Sequence, residues 1–125
     1  MRRLTEDETK EILKEAGLPV PTGEAVSSAA AARTAAARFD GGSVLKALVP
    51  TGRRGKAGAV HMIDAPDDAA AAAEKLLGQI IHDFQVDQVY IEERVAIADE
   101  FYLSFAIESY PPKLLISRQG GVDIE

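Results

Sequence analysis

Between Thr5 and Ala16 apolar positions recur at helical spacing, with Leu4, Ile12, Leu13 and Ala16 on one stripe. Thr5 with Glu8 three residues on forms a capping-box start, and Gly17 is a stop. The run GLPVPTG is proline-stiffened and extended, and leads to a short strand around Glu24 to Val26. SSAAAARTAAARF predicts a helix begun by Ser27 or Ser28 and ended at DGG; APDDAAAAAEKLLGQ predicts another, with Pro66 and two aspartates at its N-terminal end. The bounded apolar runs SVLKALV, AGAVHMID, DQVYIEE, EFYLSFAIES and KLLISR predict strands, the last two joined by a turn at YPP.

The predicted order is helix, strand, helix, strand, strand, helix, strand, strand, strand. It fits an α+β fold with a mixed or antiparallel sheet and two or three packed helices better than a doubly wound parallel sheet. The 125 residues suffice for one compact domain, and alanine supplies much of the apolar content, so a core of small side chains is expected. The alternation that begins again in RQGGVDIE stops at Glu125, which reads as a truncated chain.

Charge then narrows the function. A net charge of −6 argues against a nucleic-acid partner. The absence of cysteine excludes disulfides and thiolate metal sites. No apolar run approaches the roughly 20 residues of a membrane helix, and no secretory leader pattern is present, so a cytoplasmic protein without a membrane partner is expected.

Against this acidic background, Ser43 to Ile63 contains no Asp or Glu but holds 4 of the 14 basic residues: Lys46, Arg53, Arg54 and Lys56. Gly52, Gly55 and Gly58 recur every third residue there, and such a loop with Arg and Lys offers a polyphosphate donors and countercharge. A P-loop is excluded because Ala57 follows Gly55-Lys56 and Pro50 stands where the first glycine belongs; the spacing of a dinucleotide turn is also absent. On residue types alone a solvated basic turn is the alternative. Lys46 favours a ligand, because it interrupts the apolar run Val44 to Val49 on a strand face where a lysine needs an anionic partner. Downstream, Glu92 ends one strand and Glu100 opens the next, an arrangement suited to a nucleoside, with solvated strand-end acids as the alternative and Glu93 and Asp99 as competitors. His61 and His82 have no matching ligand cluster, so no metal or catalytic role is assigned to them.

LPVPTGEAV, VLKALVPTGRRGKAGAV, IEERVAIADEFYL and GGVDIE, in this order, resemble the N-terminal part of the succinyl-CoA synthetase β subunit family, the ATP-grasp half of ADP- or GDP-forming acyl-CoA ligases. The resemblance implies the N-terminal portion of an ATP-grasp domain over residues 1–125. Residues 1–18 would be an N-terminal helix, 19–92 a lid-type subdomain and 93–125 the start of the second lobe. It implies ATP or GTP as nucleotide, with Lys46 on its phosphates and Arg53, Arg54 and Gly55 on the covering loop. Glu92 would lie at the adenine hinge, Val95 would offer backbone to the base, and Glu100 would bind ribose.

In that family the full enzyme converts ATP, a carboxylate and CoA to acyl-CoA, ADP and phosphate, a tricarboxylic acid cycle reaction for succinate. It works with an α-type CoA-binding, phosphohistidine subunit. Mg2+ ligands and catalytic residues are expected beyond residue 125, so this stretch alone should be inactive. ATP-citrate lyase, citryl-CoA synthetase and malate–CoA ligase share the region, and a stand-alone nucleotide-binding regulatory module is the reading from another class. The chain departs from the family's usual His-Glu-Tyr-Gln start with LTEDETKEIL, and has Arg53 where glycine is common.

Overall fold

The computed structural model describes residues 2–121. The chain divides into two compact units, Met1–Val95 and Ala96–Glu125. Of the GGVDIE run, Val122 to Glu125 lie outside the described residues.

The first unit contains α1 (Glu6–Glu15), β1 (Gly23–Val26), α2 (Ala29–Ala36), β2 (Ser43–Ala47), β3 (Val60–Ile63), α3 (Pro66–Leu76), β4 (Ile80–Ile81), β5 (Phe84–Gln85) and β6 (Val89–Glu93). Four strands form one sheet in the order β1-β6-β2-β3, and each neighbouring pair is antiparallel. The predicted α+β class is therefore observed. Sequence-distant β6 sits between β1 and β2 rather than at an edge.

Local chemistry accounts for the ends of the helices. The Thr5 amide donates to the Glu8 carboxylate at 2.9 Å, closing the predicted capping box, and Gly17 exits α1 at φ 82°. Ser28 Oγ accepts from the Ala31 amide at 3.1 Å. At α3 the Ala65 amide donates to Asp68, and Pro66 fills the first helical position, where no amide is needed.

One face of the sheet makes the core. Leu45 opposite Ile91 and Ala47 opposite Val89 point to it, and all four are buried beneath α2 and α3. The helices contribute Ala32, Ala35, Ala36, Ala69, Ala72, Ala73 and Leu76. Small side chains let the two helices approach each other and the sheet closely, which is what the alanine-rich composition predicts.

Two features differ from the sequence reading. First, Leu4, Ile12 and Leu13 of the expected apolar stripe are exposed, and α1 buries no residue fully. Its inward side is the charged one, as described below. Second, β4 and β5 form a two-residue hairpin in the stretch read as a bare helix-to-strand junction. His82 and Asp83 turn it at φ 46° and 72°, two of the non-glycine residue types that enter this region most readily, but without the glycine that makes the turn signal strong.

The second unit is an antiparallel hairpin of β7 (Tyr102–Ala106) and β8 (Lys113–Ser117), with Tyr102 opposite Ser117. Leu103, Phe105 and Ile116 are each more than 60% exposed, so the hairpin itself encloses no core.

The alanine interface gives a direct test. Ala73 is completely buried and Ala30 is exposed on α2. Ala73→Leu should lower unfolding free energy by about 1–3 kcal/mol through overpacking. Ala30→Leu should stay within about 0.5 kcal/mol. Chemical denaturation of both variants measures the contrast.

Candidate functional site

The second face of the sheet is polar at its centre. In the β2–β6 register Lys46 lies opposite Tyr90 and Val44 opposite Glu92, so Lys46, Tyr90 and Glu92 share the face away from α2 and α3. Helix α1 lies against this face through Glu6 and Lys10, one helical turn apart on one side.

Five charged groups meet there. Lys46 Nζ donates to Glu6 Oε1 at 2.7 Å and also to Glu92 Oε1. Lys10 Nζ pairs with Glu6 Oε1 at 2.7 Å and with Glu92 Oε2. Arg54 Nη2 donates to the other Glu6 oxygen, while its Nη1 donates to the Ala47 carbonyl at 3.0 Å. Lys10 also lies 5.1 Å from the centroid of the Tyr90 ring, a cation–π contact.

The electrostatics follow from this geometry. Burial alone would raise the Glu6 pKa, but Lys46, Lys10 and Arg54 outweigh it and lower it from 4.5 to about 2. Burial likewise opposes the Lys10 charge, yet hydrogen bonds from Lys10 to Glu6 and Glu92 raise its pKa above the ordinary value. Tyr90 is pushed up to about 12, first by burial and then by the negative charges of Glu92 and Glu6. Its ring needs Gly23: a Cβ there would stand 2.6 Å from the Tyr90 hydroxyl and 2.7 Å from the Ile91 carbonyl.

The basic glycine loop is more ordered than a floppy tip. Its backbone turns on itself, with the Ala57 amide donating to the Arg53 carbonyl, Gly58 to Gly55 and Ala59 to Arg54. Gly58 has φ 68°, using the freedom that glycine gives the loop, while Gly52 stays outside the left-handed region. Arg53 does, at φ 59°, a conformation that costs a non-glycine residue roughly 1–2 kcal/mol. Beside the loop, Arg54, Pro50, Gly52, Glu6 and Lys10 line an open cavity of about 450 Å3.

The sequence-predicted residues thus separate into groups. Lys46, Arg54 and Glu92 belong to one connected cluster; Arg53 and Gly55 shape the adjoining turn. Glu92 is buried, with its side chain 7% exposed, and is no solvated strand-end acid. Val95, half exposed, follows a tightly held segment: the Arg94 guanidinium donates to the Ile63 carbonyl at 2.7 Å and pairs with Asp64 at 2.8 Å, and the Arg94 amide donates to Gly42. Glu93, once a competitor for Glu92, instead accepts from the Thr22 amide at 2.9 Å. Glu100 belongs to the second unit, where its carbonyl accepts from the Gly120 amide at 3.0 Å and its carboxylate lies against Gly121.

Sequence reading passed over Glu6 and Lys10. A signal existed in the i, i+4 acid–base pair, but such pairs are common on solvated helices, and Leu13 of the apolar stripe follows on the same side. Among the described residues no group of three or more His, Asp or Glu is placed to hold a metal ion, so no step is assigned to magnesium here.

Comparisons with known proteins add to this geometry. Residues 3–125 match the family model described as an ATP-grasp domain. The chain is 39% identical over 124 residues to the GDP-forming succinate–CoA ligase β subunit of Thermus thermophilus, covering 98% of this chain and 33% of that protein. It is 40% identical over 124 residues to the ADP-forming succinate–CoA ligase β subunit of Rubrobacter xylanophilus, covering 98% and 32%. The chain spans about a third of the length of these curated relatives.

The lowered Glu6 pKa fixes a pH dependence. A carboxylate depressed from 4.5 to about 2 stabilises the fold fully above its unfolded value, and that contribution is lost as pH falls through its folded value. Glu6→Gln should therefore cost about 3 kcal/mol near neutral pH. The gap between the two proteins should close between pH 4.5 and about 2. Urea unfolding at several pH values checks both parts, and a gap undiminished at the acid end would contradict the ion-pair origin.

Proposed function

Because this chain belongs to the ATP-grasp family, we propose that it supplies part of the nucleotide site of an ADP- or GDP-forming carboxylate–CoA ligase. The observation that carries this reading is the convergence of Lys46 and Arg54 on a single carboxylate beside the glycine turn. Two cations from a strand and its following loop aim at one anion, the arrangement a phosphoryl oxygen requires.

In this reading Lys46 and Arg54 bind the nucleotide phosphates and offset the charge on the transferring phosphoryl group. Arg53 and Gly55 set the turn that covers them. Glu92, pinned between β1 and β2, fixes the hinge from which Val95 presents backbone to the base, and Glu100 accepts from ribose hydroxyls. Magnesium, if bound, would supply countercharge to the phosphates, and none of the described residues is assigned as its ligand.

The overall reaction is nucleoside triphosphate, carboxylate and CoA to acyl-CoA, nucleoside diphosphate and phosphate. Succinate is the favoured acid, since the similar β subunits are named as succinate–CoA ligases. An α-type subunit carrying the phosphorylated histidine and the CoA site is the implied partner, and the cytoplasm the implied location. No helix among the described residues is long and apolar enough to cross a membrane.

Calorimetric titration of the protein with Mg-ATP and Mg-GTP tests the site. Lys46→Ala should weaken the preferred nucleotide by about tenfold or more, since a charged hydrogen bond contributes about 1.5–3 kcal/mol. Glu100→Ala should weaken it by a smaller factor, and should weaken adenosine as well. Unchanged affinity in both variants would remove the assignment.

A further inference from the structure

One acid in the cluster is unexplained by nucleotide binding. Glu6 uses both carboxylate oxygens on the cations of the phosphate site, one on Lys46 and Lys10 and the other on Arg54. That two-oxygen grip reproduces what a phosphoryl group would do with the same donors. We propose that Glu6 is an intramolecular phosphate surrogate, and that α1 is a latch which the polyphosphate of an incoming nucleotide displaces. The proposal rests on the reading of Lys46 and Arg54 as phosphate ligands.

The charge balance requires displacement. Lys10, Lys46 and Arg54 face Glu6 and Glu92, three cations against two carboxylates. Tyr90 also faces them and stays neutral at physiological pH, and Asp7 adds a further negative charge near Tyr90. A triphosphate entering with Glu6 still in place would bring several negative charges beside a buried carboxylate, for a surplus of only one positive charge. Glu92 cannot yield, because its strand pairs on both sides, with Gly23 of β1 and Val44 of β2. Glu6 can: its helix buries no residue fully, and Leu4, Ile12 and Leu13 face solvent. The ion pairs are thus a major part of what holds the N-terminal turn of α1 to the sheet, and the same cations gain the nucleotide in exchange.

The device has a defined signature. A ligand that competes with an internal carboxylate gains affinity when the carboxylate is neutralised, and by linkage the ligand loosens what the carboxylate held. Equilibrium binding of Mg-ATP to the protein, Glu6→Gln and Lys46→Ala separates the cases. Glu6→Gln should bind about fivefold or more tightly, at the lower end of typical couplings between sites, while adenosine affinity stays unchanged.

Affinity in Glu6→Gln equal to or below that of the unaltered protein, with Lys46→Ala weakened, would overturn the latch and leave the nucleotide site standing. Unchanged affinity in Lys46→Ala would overturn the reading of Lys46 as a phosphate ligand and the latch with it. Should Glu6→Gln fold poorly, hydrogen exchange on the unaltered protein decides. Amides of Glu6–Glu15 should exchange faster at saturating Mg-ATP, and slower exchange would overturn the latch.

Discussion

The ammonium group of Lys46, inside the apolar run from Val44 to Val49, organises the first unit. A lysine there is tolerated because Glu92 on the adjacent strand and Glu6 on α1 both reach it. Uncompensated, a partly buried charge is expensive, so each partner's position follows from the others. Glu92 must be fixed by the sheet, α1 must lie on the second face, and the loop after β2 must return Arg54 to the same carboxylate. The apolar face, with its alanine-lined helices, holds the strands rigidly enough for the polar face to keep this geometry.

Rigid and yielding parts are divided cleanly across the sheet. Below it, Leu45, Val89 and Ile91 are completely buried, and β6 is paired along its length. Above it, contact is made by long charged side chains, with Glu6 and Lys10 of α1 paired to Lys46 and Glu92 of the sheet. The latch proposed above would use this division, with the cations held in place while the group that occupies them changes. The strained Arg53 at the start of the turn adds a second locally costly feature at the same place.

Much of this was legible beforehand, for identifiable reasons. Helix caps, glycine stops and bounded apolar runs are local signals, and α2, α3, β2, β3 and β6 fall where those signals put them. Lys46 stood out because a lysine inside an apolar strand violates patterning. What sequence could not reveal was the partner: an anionic requirement names a charge and not its source, and the source within the fold is a helix 40 residues away. The α1 stripe misled for a related reason. Leu4, Ile12 and Leu13 have the correct spacing for burial, but it is Glu6 and Lys10 that reach the sheet, where their charges are paired. The β4–β5 hairpin carried only a weak turn signal, since His82 and Asp83 accept left-handed backbone but no glycine accompanies them and its strands are two residues long.

The spacing of Glu6 and Lys10 on one turn of α1 carries an evolutionary corollary. Lys10 is charge-balanced only because Glu6 and Glu92 share three cations between them. A lineage that replaced the acid at position 6 by a neutral residue would leave Lys10, Lys46 and Arg54 crowding around Glu92 alone. Neutralising position 10 then relieves that crowding without touching Lys46. Positions 6 and 10 should therefore drift as a unit, acid with base or neutral with neutral, while the strand lysine and its glutamate stay constant beneath them.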